Sequence, residues 1–158
     1  MTHLTERPQE AFGAGASAWV PLPPLLEDVA EIWFREFRKR LDEAGHSVIR
    51  PGHGCVFRFI EDDGSRLTDL ADTSGLTKQA VGEVVADLER LGYIERAPDP
   101  QDGRAKVIRL TDLGADVRSV ALGIFADLER GWEERYGAER VAAMRELLEA
   151  LTAREPAG

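Results

Sequence analysis

The sequence predicts a mainly α-helical domain with one small β-hairpin set between its helices. Three observations carry that prediction. Apolar residues recur at the helical period through residues 25–41, 77–91 and 113–132. Two β-rich runs, Tyr93-Ile94-Glu95-Arg96 and Lys106-Val107-Ile108-Arg109-Leu110, flank a segment holding Pro98, Pro100 and Gly103, the pattern of a hairpin with a long tip. A chain of 158 residues, 43% hydrophobic and 31% charged, can bury one ordinary core.

Each element has its own signals. Residues 1–20, rich in Ala, Gly and polar residues, read as a mobile tail before a single domain over 21–158. Pro21, Pro23 and Pro24 lead into a first helix, whose opening turn tolerates proline. Its stripe is Leu25, Val29, Ile32, Trp33, Phe37 and Leu41, and Gly45 is its stop. After Pro51-Gly52, residues Val56–Ile60 suit a short buried helix, and a strand fits them too. Thr68 is the expected N-cap of a short helix that ends at Ser74-Gly75. Thr77 caps the next helix, with Leu76 and Val81 placed for a hydrophobic staple. Val81, Val84, Val85, Leu88 and Leu91 form its inner stripe, and Gly92 ends it. After the hairpin, Thr111 caps a helix carrying Leu113, Val117, Val120, Ile124, Leu128 and Trp132. Gly137 separates it from a last helix with Val141, Met144, Leu147, Leu148 and Leu151.

A short helix, a glycine turn, a longer helix and a hairpin make a winged helix-turn-helix over residues 51–111. That layout suits DNA, because a helix fits the major groove, where every base pair shows a distinct pattern. Lys78 can donate to phosphate or guanine, Gln79 can pair with adenine, and Thr77 can bond phosphate or bases. Arg104 and Lys106 place two cations at the hairpin tip, where a wing meets the neighbouring minor groove.

The sequence resembles the MarR family of bacterial winged-helix regulators. The matching residues are Leu67-Thr68-Asp69-Leu70-Ala71, Gly75-Leu76-Thr77-Lys78-Gln79 and Leu88-Glu89-Arg90-Leu91-Gly92-Tyr93-Ile94-Glu95-Arg96. The most specific are Asp99-Pro100-Gln101-Asp102-Gly103-Arg104 and Leu110-Thr111-Asp112-Leu113-Gly114. The resemblance implies a homodimer on a palindromic operator in double-stranded DNA, usually a repressor, with a small-molecule effector in many members. It assigns residues 21–48 and 112–155 to dimerisation. By position it makes Thr77, Lys78 and Gln79 the major-groove readers and Arg104 the minor-groove arginine. Asp102 matches the acid that orients Arg104, and Arg96 and Lys106 match phosphate contacts. A ligand crevice in such proteins lies between the dimerisation helices and the winged domain. Trp33 and Phe57 are the aromatic candidates for lining it, although core or interface packing is the first reading of Trp33, Phe34, Phe37, Phe57, Phe59 and Phe125 alike.

The net charge of -9 excludes a protein that coats nucleic acid indiscriminately. Its distribution permits a small basic surface. Residues 64–111 hold 7 basic and 8 acidic residues, whereas the segments on either side each carry -4. On this reading Asp69, Asp72, Asp87 and Glu89 face away, leaving Lys78, Arg96, Arg104, Lys106 and Arg66 on one side.

Other chemistry finds little support. Cys55 is the single cysteine, which excludes an intrachain disulfide and reads better as a small buried residue than as a redox sensor. His46, His53 and Cys55 lack the i, i+4 spacing of a helical metal site, so no metal and no cofactor is expected. Nucleophile-elbow, Walker and dinucleotide-binding motifs are missing, so an enzyme is not expected. No secretory signal or membrane span is evident, and a cytoplasmic protein is expected. The competing reading is a winged-helix module for protein interaction or ligand binding without DNA.

Overall fold

A computed structural model describes residues 20–100 and 102–154. The predicted tail, but for Val20, lies outside the described residues. The chain falls into two compact units, one ending at Glu36 and one starting at Phe37, inside the first helix, α1 (Leu22–Glu43). The described part of the first unit is helical from Leu22 and exposes Leu22, Leu25, Leu26, Val29, Ile32 and Phe34.

The second unit holds the core. A 3-10 turn at Pro51–His53 runs into α2 (Gly54–Phe59), so the ambiguous apolar run is a helix. Its buried Val56 also accepts the backbone N–H of Ile60, at 2.9 Å, which closes the last turn. Helix α3 (Leu67–Ser74) begins earlier than expected. Arg66, not Thr68, is its N-cap, because Leu67 already packs on the core and Leu70 N–H donates to Arg66 O at 3.1 Å. The Thr68 hydroxyl instead meets Asp69 Oδ1 at 3.3 Å. Gly75 ends the helix in the left-handed region, φ 69°, which a residue with a Cβ adopts only at a cost.

Thr77 caps α4 (Lys78–Arg90), its Oγ1 accepting from Ala80 N at 3.2 Å. Val81, Val85 and Leu88 are buried along the inner side of that helix. Leu76 stays 45% exposed, so the expected staple buries Val81 alone. The antiparallel hairpin joins β1 (Ile94–Pro98) to β2 (Lys106–Leu110), with Ile94 opposite Leu110 and Pro98 opposite Lys106. β1 thus runs beyond Arg96 to include Pro98, which an edge strand accommodates. β2 is the inner strand: its Ile108 exchanges backbone bonds with Ser65 at 3.0 and 2.8 Å.

Thr111 caps α5 (Asp112–Tyr136) through Gly114 N at 3.1 Å, and Gly137 turns the chain into α6 (Ala138–Arg154). The Phe37 and Phe125 rings stack at 4.5 Å. Among the described residues, no helix is long and apolar enough to cross a membrane.

Tyr93 ties these elements together. Its N–H donates to Leu88 O at the end of α4, and its carbonyl accepts from Thr111 N at the start of α5. Its ring meets Phe57 edge-on, at 6.2 Å. The phenol donates to Nδ1 of the buried His46 at 3.1 Å, while His46 Nε2 donates to Asp116 Oδ2 at 3.2 Å. The acceptor-only carboxylate sets that tautomer. Burial, and next the Asp116 charge, push the Tyr93 phenol above its ordinary value.

Candidate nucleic-acid interface

The helix-turn-helix is built by a few local choices. Ser74 Oγ donates to Ala71 O at 3.2 Å and receives Leu76 N–H at 3.4 Å, closing the turn between α3 and α4. The Thr77 hydroxyl takes one of the N–H groups at the start of α4. Thr77, Lys78 and Gln79 are all exposed at that positive helix end. The helix itself is pinned from behind. Arg50 N–H donates to His53 Nδ1 at 3.1 Å, so the buried His53 must donate from Nε2, and it does so to Asp87 Oδ2 at 2.9 Å. Asp87 also pairs with Arg90. Arg90, and then His53, hold its carboxyl below the usual range.

The wing is anchored at its base. Asp99 is 7% exposed and receives Arg66 Nε at 2.7 Å and Nη2 at 2.5 Å. Because Arg66 is the cap residue of α3, this pair joins the wing to the helix-turn-helix. The tip closes where Asp99 N donates to Ala105 O at 3.0 Å and Ala105 N to Asp102 O at 2.8 Å. Asp102 Oδ1 accepts the backbone N–H of Arg104, at 3.1 Å, so this acid shapes the turn. It makes no ion pair with the Arg104 side chain among the described contacts.

Three expectations about charge change accordingly. Arg66 is committed to buried Asp99 and is not a free member of a basic face. Asp87 points to His53, and Glu89 pairs with Arg96 Nε at 3.1 Å, so neither simply faces away. Arg96 is exposed but engaged by Glu89. Among the described residues, Lys78, Arg104 and Lys106 are exposed and form no ion pair. The structure therefore brings Thr77, Lys78 and Gln79 together on one helix start, and Arg104 and Lys106 together on the wing.

Other candidates fall elsewhere. Phe57 is half-buried on α2 against Tyr93, and Trp33 is half-buried in the unit that ends at Glu36. Cys55 is part-exposed rather than buried. Its thiol donates to Gly52 O at 3.1 Å, and burial pushes its pKa up, the opposite of thiolate activation. Sequence reasoning passed over Glu83, which accepts from Gln79 Nε2 at 3.3 Å. Their i, i+4 spacing was the available signal.

Comparison with known proteins agrees with this architecture. The sequence pattern of the MarR family matches residues 49–105. The chain is 29% identical over 110 residues to an uncharacterized HTH-type transcriptional regulator, YdcH, from Bacillus subtilis (strain 168), covering 68% of this chain and 75% of that protein. A MarR-family transcriptional regulator from Rhodococcus sp. RHA1 superposes with a TM-score of 0.66 at 24% identity, covering 85% of this chain and 95% of that one. Structures of S. aureus MepR also superpose, one of a mutant bound to an oligodeoxyribonucleotide (TM-score 0.57, 22% identity, 87% of this chain and all of that one). Another has MepR bound to ethidium bromide (TM-score 0.59, 22% identity, 86% and 98%). Members of this family are transcriptional regulators rather than enzymes. With its helix-turn-helix, its hairpin wing and these similarities, the chain resembles the DNA-binding transcriptional regulators of the MarR family, whose pattern its residues 49–105 match.

Proposed function

We propose that this chain is a homodimeric repressor that binds a palindromic operator in double-stranded DNA and is released by a small-molecule effector. The observation that carries the DNA reading is the exposed set Lys78, Gln79, Arg104 and Lys106, whose three cations form no ion pair among the described residues. Thr77, Lys78 and Gln79 read the major groove, and Arg104 enters the minor groove from a turn shaped by Asp102. Lys106 contacts phosphate, and Arg96 joins it by exchanging Glu89 for phosphate.

The dimer reading rests on exposed apolar residues. Leu122 on α5 and Met144, Leu147, Leu148 and Leu151 on α6 are exposed, as are those of α1. A single chain leaves this apolar surface in water, and a large obligate interface covers it. Residues 21–48 and 112–155 supply that interface, and 51–111 the winged DNA domain. The effector reading draws on the MepR complex with ethidium bromide, and Phe57 of the second unit is the proposed aromatic contact. A regulator acting on chromosomal DNA works in the cytoplasm.

The test is affinity for the DNA flanking the chain's own coding region, against random duplex, over a salt series. The expected result is a clear preference, with log affinity falling linearly in log salt at a slope of about -0.9 per phosphate contact. No preference at low salt contradicts the proposal and favours a protein-interaction or ligand-binding module.

A further inference from the structure

We infer that Glu83 is a specificity-determining residue, which requires a cytosine in the base pairs beneath the middle of α4; this rests on the DNA reading above. The helical period sets the outward stripe of α4 opposite its buried side. Val81, Val85 and Leu88 point inward, so Gln79, Glu83, Ala86 and Arg90 point outward, and all four are exposed. Arg90 is turned onto Asp87. On the same stripe as Glu83 stands Ala86, whose small side chain lets the helix come close to the floor of a groove. Glu83 is therefore the most protruding side chain at the centre of the surface proposed to meet base edges.

A carboxylate there is at odds with its surroundings. Phosphates line the groove and repel it, and among the described residues no cation pairs with Glu83. Its one described partner is the neutral amide of Gln79, at 3.3 Å. Desolvating an unpaired carboxylate is costly, so the residue needs a donor on the DNA. In the major groove only the amino groups of cytosine and adenine donate. Adenine sets its N7 acceptor beside its amino group, which opposes the second carboxylate oxygen. Cytosine has no such acceptor, and guanine and thymine offer O6 and O4, which repel. Glu83 thus acts largely by rejecting the other bases.

The Gln79 contact fits the same picture. One Nε2 hydrogen goes to Glu83, and the other, with Oε1, remains to pair with adenine N7 and N6. The i, i+4 spacing is about 6 Å along the helix. The two residues therefore address adjacent or next-but-one base pairs.

Selection of bound duplexes from random DNA by the wild type, Gln79→Ala and Glu83→Gln tests this. Glu83→Gln keeps shape and helix propensity and removes the charge. The wild type is expected to enrich a motif with a cytosine at one position. Glu83→Gln should then lose about tenfold in discrimination at that position alone and bind random duplex more tightly, whereas Gln79→Ala should relax a different position. An unchanged Glu83→Gln motif beside an enriched wild-type motif overturns this inference alone. A change confined to the position relaxed by Gln79→Ala makes Glu83 a positioning residue and overturns direct reading. A wild type that enriches nothing overturns the DNA reading together with this one.

Discussion

Gly114 lies where α5 leaves the hairpin, and replacing it with alanine sets two effects of opposite sign against each other. Helix propensity favours Ala over Gly by about 1 kcal/mol. Packing opposes it. A Cβ at Gly114 would lie 1.9 Å from the Tyr93 carbonyl oxygen and 3.1 Å from Leu110 Cδ2, where ordinary contact begins at 3.4 Å. The first turn of α5 must therefore retreat from Tyr93 by about 1.5 Å, from 1.9 to 3.4 Å. That retreat breaks Thr111 N–H to Tyr93 O, 3.1 Å, and Thr111 Oγ1 to Gly92 O, 2.7 Å. Each such bond contributes about 1 kcal/mol net. Overpacking adds about 1–3 kcal/mol. After the propensity gain, the net loss is about 2–4 kcal/mol, a large part of the roughly 5–15 kcal/mol of a typical domain. Gly131 is the control: it is exposed in the same helix with nothing within 4 Å of a built Cβ. Gly131→Ala should stabilise by about 0.5–1 kcal/mol. Urea unfolding followed by circular dichroism, at matched protein concentration, measures both. A Gly114→Ala protein as stable as the wild type would refute the reasoning.

Further outcomes follow from the same contacts. Asp87 has a depressed carboxyl pKa, because Arg90 and then His53 favour its charged form. Its contribution is therefore present above the unfolded value, about 3.9, and is lost as pH falls through the folded value. Asp87→Asn should flatten the acid limb of a stability profile below about pH 4, and a limb identical to wild type counts against the pairing. Arg104→Ala should weaken binding most for duplexes with narrow A/T minor grooves, while Lys106→Ala should lower affinity across sequences and reduce the salt slope by about one unit. Equal affinity for all three proteins removes those assignments. Sedimentation at micromolar concentration should give twice the 17.5 kDa chain mass, and a monomer contradicts the covered apolar surface.

Much of the scaffold was legible because it depends on local chemistry. Thr77 and Thr111 are caps by residue type, and Gly75 and Gly92 end helices through positive φ, 69° and 82°. The start of α3 was misread because Thr68 is the better capping side chain, whereas burial of Leu67 begins the helix at Arg66. The ambiguity of Val56–Ile60 was real, since a short apolar run has no decisive period. The charge layout was the least legible. Pairs such as Arg66–Asp99, His53–Asp87 and Arg96–Glu89 join residues from different elements, and only the fold shows that these charges are already engaged. Which of the proposed DNA-facing cations form no ion pair among the described residues (Lys78, Arg104 and Lys106) is thus a property of tertiary structure.

The most direct measurement tethers a DNA-cleaving iron chelate to the wing. In a Cys55→Ser background, Gly103→Cys gives one attachment point at the exposed tip, where a built Cβ has nothing within 4 Å. A dimer with α4 in successive major grooves should cut its selected duplex at two symmetric minor-groove positions, flanking half-sites whose centres lie about 34–36 Å apart. Uniform cutting along the duplex, or a single unpaired centre, would contradict the account.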